Sequence, residues 1–198
     1  MITFLNESNE KPLKILKENY EQALQLDQTM IQAISISSYC SRTQTVDSRY
    51  VNLKFINNDK FIFFTNYNSP KAKQFQEHEQ ISALIFWSRI NLQIRFKAII
   101  EKTSLEFNNT YFASRNSNKN ALAISSNQSN PIESYEIIKD KFYATLETKK
   151  TNKCPKHWGG YAFTPYEIEF WKGNNFRLNR RDLFTKLDNT WNHCILEP

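Results

Sequence analysis

The chain has 198 residues, 40% of them hydrophobic and 14% aromatic, enough for one well-cored domain over residues 1–198. Three glycines exclude the glycine-rich phosphate loops of nucleotide-binding folds, so a phosphate must be held by side chains and helix ends. The net charge of +6 permits nucleic-acid binding, but the basic residues are scattered rather than massed, which favours a cage for phosphate esters. Cys40, Cys154 and Cys194 are widely spaced with no CxxC pair, the usage of reduced cytoplasmic thiols. His78, His157 and His193 are too dispersed for a metal cluster, so no metal is expected. No signal peptide is read at the N-terminus, and no apolar run approaches the ~20 residues of a membrane span.

Pro12 to Leu26 carries Leu13, Leu16, Tyr20, Ala23 and Leu24 at helical spacing, with lysines and glutamates on the other side. Met30 to Ser37 alternates as a strand, Tyr39 to Asp47 reads as a polar hairpin connection, and Tyr50–Ile56 and Lys60–Thr65 are two more strands. Ser69-Pro70-Lys71 opens a helix, with Ser69 as N-cap and proline at the first helical position. Ile81–Trp87 and Leu92–Lys102 are strands, and a helix follows from Ser104. Asn118–Asn130 is a polar segment, after which Asn130-Pro131-Ile132-Glu133 reads as the start of a helix reaching about Lys149. Strands and turns occupy Trp158 to the end. Six or more meander-spaced strands with a few peripheral helices predict a mainly β, α+β fold built on a small antiparallel barrel.

Five constellations can carry chemistry. Arg49 and Lys54 bracket the strand Arg49-Tyr50-Val51-Asn52-Leu53-Lys54, following which Phe64-Thr65 leads to Lys71 at a helix N-terminus, a natural anion site. Gln93 and Arg95 share a strand face. Tyr111 and Arg115 are four apart on a helix, and Lys119 extends that face if the helix persists. Gln128-Ser129 precedes a helix. Last, Ile168-Glu169-Phe170-Trp171 turns through Lys172-Gly173-Asn174-Asn175 into a return strand on which Arg177, Asn179 and Arg181 should project together beside Trp171. An indole beside guanidinium groups suits a flat, anionic ligand. Each segment taken alone is also compatible with an ordinary solvated face.

Taken together and in order, these segments resemble the pyridoxamine (pyridoxine) 5′-phosphate oxidase family from about Met30 onward. The C-terminal segment resembles that family's E-F/W-W…R-L-H-x-R signature, Arg49–Lys54 its R-x-V-L-L-K strand, Phe61–Asn66 with Ser69–Ala72 its F-Y-T-N…S-R-K-A, and Tyr111–Arg115 its Y-F-x-S-R. The resemblance implies an FMN-binding split β-barrel, a homodimer with flavin at the interface, and oxidation of pyridoxamine or pyridoxine 5′-phosphate to pyridoxal 5′-phosphate with O2 reduced to H2O2. It implies flavin contacts from Arg49, Tyr50, Val51, Asn52, Leu53, Lys54, Phe64, Thr65, Lys71, Gln93, Gln128, Ser129, Trp171 and Arg181. Substrate contacts follow for Lys54, Tyr111, Arg115, Lys119, Arg177 and Asn179, the last two nearest the chemistry. Three positions depart from the family: Pro70 stands for an arginine at the flavin phosphate, Lys119 for a serine and Asn179 for a histidine. A flavin oxidase acting on another flat anion, and a non-catalytic FMN or pyridoxal-phosphate binder, are the alternatives. A nucleic-acid-binding barrel leaves the ordered motifs unexplained.

Overall fold

The computed structural model describes residues 1–198. Its elements run β1 (Thr3–Leu5), α1 (Lys11–Gln25), β2 (Ala33–Cys40), β3 (Thr45–Asn57), β4 (Lys60–Asn66), α2 (Pro70–Glu77), β5 (Gln80–Trp87), β6 (Leu92–Lys102), α3 (Leu105–Ser114), α4 (Ser117–Ser125), α5 (Tyr135–Glu147), β7 (Trp158–Lys172), β8 (Arg180–Leu187) and β9 (Thr190–Leu196). Strands β2 to β7 close into a six-stranded antiparallel barrel in the order β3–β2–β5–β6–β7–β4, with β4 pairing back onto β3. The two-residue alternation of β-strands decides what fills it. Ile34 and Ile36 of β2, Ala83, Ile85 and Trp87 of β5, and Ile94, Phe96 and Ala98 of β6 all point inward and are buried. Each large apolar side chain so placed contributes about 1.5–3 kcal/mol. The stripe Leu13, Leu16, Tyr20 and Ala23 of α1 joins the same core, whereas Leu24 stays exposed.

Strand β7 gives the barrel its split. One edge pairs with β6 along nearly its whole length, while the other is shared: Trp158–Phe163 pair with β4, and Glu167–Lys172 pair with β8. Pro165, which has no N–H to donate, lies between the two partners, where the register against β6 also slips at Lys97/Ala98. Beyond that point β8 and β9 continue the sheet outside the barrel. Lys186 ties this extension to the rest of the molecule through Glu10 at 3.4 Å and Asp59 at 3.5 Å, and Trp191 Nε1 donates to Glu10 at 2.8 Å.

A bulge in β3 sets the direction of its side chains. Between Leu53 and Phe55 the strand advances two residues while β4 advances one. Leu53 and Ile56 consequently both face the core, and Lys54 and Phe55 are turned outward. Phe55 then meets the helix side, with its ring 5.1 Å from that of Tyr111 on α3. The same helix is anchored by Asn108, which is buried, accepts from Gly160 N at 2.8 Å and from Thr103 Oγ1 at 2.6 Å, and donates to the Tyr67 hydroxyl at 3.0 Å. A Cβ on Gly159 would collide with that Tyr67 hydroxyl and the Asn108 amide, so glycine is required for β7 to approach α3 this closely.

Several sequence-based boundaries shift. The connection read over Tyr39–Asp47 is mostly strand, with only Ser41–Gln44 between β2 and β3, because polar residues there lie on solvent-facing ends of paired strands. The strand read from Met30 begins at Ala33, since Met30 has a left-handed φ of 51°. The polar segment Asn118–Asn130 contains α4, capped by the Asn116 side chain accepting from Asn118 N. The cap of the following helix is Ser134, not Asn130, so α5 starts at Tyr135. The short parallel strand β1 carries no alternation long enough to be read from sequence.

Candidate functional site

A cavity of about 830 Å3 opens where β3 and β4 meet the start of α2, the end of α3 and α4. Arg49, Tyr50, Val51, Asn52, Lys54, Phe64, Thr65, Lys71, Tyr111, Arg115, Lys119, Gln128 and Ser129 all line it. Leu53 does not: it is fully buried in the barrel, because strand alternation points it away from the cavity its neighbours face.

The cations fall into two groups. In the first, Lys71 lies one residue into α2 and is 8% exposed. Its Nζ donates to Thr65 Oγ1 and Ser69 Oγ, each at 3.3 Å, and it has no carboxylate partner. Burial, with Arg49 nearby, pulls its pKa down to about 8. Ser69 marks the helix start as expected, but its hydroxyl is spent on the Asn66 carbonyl at 2.7 Å rather than on a helical N–H. Arg49 is held by Ser38 Oγ at 2.6 Å, the Ile36 carbonyl at 3.2 Å and Gln74 Oε1 at 3.2 Å. Pro70 lines the cavity beside them and has no N–H, and Ala72 N and Lys73 N donate to the Ser69 carbonyl at 3.0 and 3.2 Å, so α2 offers its dipole here more than free amides.

The second group is Lys54, Arg115 and Lys119. None of the three has a carboxylate within 4 Å, and burial together with the charges of Lys119 and Arg115 lowers the Lys54 pKa. Tyr111 stands among them, its phenol pushed up by burial. Helix α3 ends at Ser114, so Lys119 does not extend the Tyr111 face of one helix. The chain breaks at Arg115–Asn116 and α4 carries Lys119 to the same wall. Arg115 Nη1 is buried without a hydrogen-bond partner. A cavity that gathers five cations, only one of which has a carboxylate within 4 Å, is suited to anions.

The other expected residues lie elsewhere. Gln93, Trp171 and Arg181 stand side by side across β6, β7 and β8 by register, away from the cavity walls. Arg181 donates from Nε to Glu169 Oε1 at 2.8 Å and from Nη1 to the Glu197 carbonyl at 3.0 Å, while Arg95 takes the other Glu169 oxygen at 3.0 Å. Arg177 and Asn179 do not share a strand face with Arg181. Phe176 and Arg177 adopt left-handed φ values of 56° and 62° within a 3-10 turn, and strand β8 starts only at Arg180. Asn179 Oδ1 accepts from Asn174 N at 3.2 Å and so staples this turn. Sequence reasoning missed Trp158, which lines the cavity with its ring stacked 5.0 Å from Phe64. The adjacent Gly159-Gly160 pair, two of only three glycines, was the available sign of close packing there.

The fold defines the class. A structure of PhzG from Burkholderia lata 383, in complex with tetrahydrophenazine-1-carboxylic acid, superposes with a TM-score of 0.90 at 23% identity over 96% of this chain and 93% of that one. A pyridoxamine 5′-phosphate oxidase-related, FMN binding protein from Nostoc punctiforme PCC 73102 gives 0.76 at 12% identity over 92% and 97%. At these identities the likeness is one of fold.

Sequence supplies the family. The chain is 36% identical over 182 residues to pyridoxine/pyridoxamine 5′-phosphate oxidase 1 of Hydrogenovibrio crunogenus, spanning 90% of this chain and 84% of that protein. It is 34% identical over 195 residues to the pyridoxine/pyridoxamine 5′-phosphate oxidase of Nostoc sp. PCC 7120, spanning 97% and 91%. Residues 158–198 match the pyridoxine 5′-phosphate oxidase C-terminal dimerisation region. The chain belongs to the pyridoxine/pyridoxamine 5′-phosphate oxidase family.

Proposed function

We propose that this protein is an FMN-dependent homodimeric oxidase that converts pyridoxine or pyridoxamine 5′-phosphate to pyridoxal 5′-phosphate, with O2 reduced to H2O2. The observation that carries the reading is the pair of cation groups in one cavity, which matches the two phosphates such a reaction brings together. The buried, carboxylate-free Lys71 at the start of α2, with Arg49 beside it, fits a flavin phosphate. Lys54, Tyr111, Arg115 and Lys119 fit the phosphate of the substrate, since all four line the cavity and none of the three cations has a carboxylate of its own. FMN, when bound, supplies the acceptor for the hydride leaving the substrate's C4′ carbon and the route of those electrons to O2. The chain's own residues bind and orient, and no acid–base pair is required of them.

Gln93, Trp171, Arg177, Asn179 and Arg181 lie off the cavity of their own chain, within or beside the matched dimerisation region. We infer that a second copy brings them to it, with Arg177 and Asn179 over the pyridine ring. Free thiols at Cys40, Cys154 and Cys194 are in keeping with a cytoplasmic setting, and no helix is long and apolar enough to cross a membrane. Asn179 in place of a histidine favours one second reading, oxidation of a different flat anionic substrate. Peroxide release from the purified, FMN-loaded protein decides between them: turnover with pyridoxine or pyridoxamine 5′-phosphate is expected. A flavin-free monomer that FMN cannot reconstitute would refute both.

A further inference from the structure

We propose that Trp158 is a positioning residue that holds the Arg115 guanidinium for the phosphate of the substrate, an inference that rests on the functional reading above. Arg115 is the C-cap of α3, with φ −78° and ψ 157°, so the helix no longer directs its side chain. One weak bond restrains it, from Nη2 to the Lys119 carbonyl at 3.4 Å, and no carboxylate lies within ion-pair reach. What fixes the guanidinium is the indole face of Trp158, 4.4 Å from its Cζ, with the Phe112 ring at 5.5 Å. A guanidinium stacked on an aromatic face keeps all its N–H bonds in the stacking plane, free to donate sideways to an anion. Arg115 lines the cavity in which that anion would sit.

The indole is itself packed on both sides. It is 7% exposed, lies 5.0 Å from the Phe64 ring at 9° to it, and meets Phe112 edge-on at 4.9 Å. Phe64 stacks in turn on Tyr111 at 4.1 Å. One column of rings therefore orders both Arg115 and Tyr111. An aromatic platform does this where a carboxylate could not, because a carboxylate would neutralise the charge the phosphate is to meet.

The test is a double-mutant cycle read by calorimetric titration of inorganic phosphate into the purified protein with FMN present in excess. Arg115→Ala should weaken phosphate binding by roughly tenfold to a hundredfold. Trp158→Leu should weaken it about fivefold and Trp158→Phe about twofold, following the order of ring strength in cation–π contacts. In the Arg115→Ala background neither Trp158 change should cost anything more. Equal losses with and without Arg115, or no loss from Trp158→Leu, would overturn the proposal. Should Trp158→Leu fail to fold, Trp158→Phe, which keeps a ring against Phe64, decides by the same comparison. Turnover of pyridoxine 5′-phosphate by the unmodified protein is scored separately, so an intact coupling without oxidation removes the proposed reaction and leaves the positioning role standing.

Discussion

The cavity and the C-terminal hairpin are both rich in basic residues, yet they treat charge in opposite ways. On the hairpin each cation of strand β8 has a carboxylate: Arg180 with Asp182 at 2.7 Å, Arg181 with Glu169 at 2.8 Å, Lys186 with Glu10 and Asp59. In the cavity, Lys54, Lys71, Arg115 and Lys119 have none, and only Arg49 reaches one, Asp47 at 3.9 Å. Paired cations steady the hairpin, whereas cations wholly or partly buried without a carboxylate, as Lys54, Lys71 and Arg115 are, are a cost that a ligand can offset. Arg177 is the exception that extends the rule: alone among the hairpin arginines it has no carboxylate partner, and it sits on a turn rather than in the ladder.

The sharpest way to break this contrast is Lys71→Met. FMN affinity should fall by roughly tenfold to a hundredfold, while the flavin-free protein becomes more stable because an unpaired buried cation is gone. Flavin fluorescence titration and the apoprotein Tm read the two signs. The same residue predicts opposite pH responses. Its folded pKa of about 8 lies below the ordinary lysine value of 10.5, so from about pH 8 upward the unfolded chain binds more protons than the folded one. Apoprotein stability should therefore gain from Lys71 as pH rises through that window, while FMN affinity declines as the cation is lost. Arg115→Ala should raise KM for the phosphorylated substrate by roughly tenfold to a hundredfold with flavin content unchanged. An unaltered KM would remove Arg115 from the substrate site.

On the hairpin side, Glu169→Gln withdraws the one buried carboxylate shared by Arg95 and Arg181. It should cost on the order of 2 kcal/mol, seen as a lower urea midpoint, with phosphate binding in the cavity untouched. Loss of phosphate binding instead would show that the two regions are coupled. The smallest effect is expected of Asn179→His. Its ring nitrogen can still accept from Asn174 N, so the turn survives and peroxide formation from pyridoxamine 5′-phosphate should rise severalfold. No turnover in either protein would favour the other flat substrate.

The strands and the cavity cations were legible in the sequence because both are written in local pattern. Period-two burial marks β2, β5 and β6, and short ordered motifs carry Arg49, Lys54, Tyr111 and Arg115. The turns were not. With three glycines, the chain places twelve non-glycine residues at positive φ, among them Asn58, Asn91 and Asn189 but also Phe176 and Arg177. No residue-type signal announces the last two, so the return strand was read three residues early. The break between α3 and α4 is hidden likewise, since Asn116 looks like any polar helix residue until it is seen capping the next one.

Strand β7 carries Trp158 at its barrel end and Trp171 at its hairpin end. A strand of that span is about 40 Å long, far more than any one small molecule bridges. Given the pairing inferred above, a gene copy damaged in the cavity and another damaged at Arg177 should rescue each other in one cell, because every mixed dimer then holds one undamaged site. Two recessive defects in this single gene would complement, an inheritance pattern ordinarily taken to mean two genes.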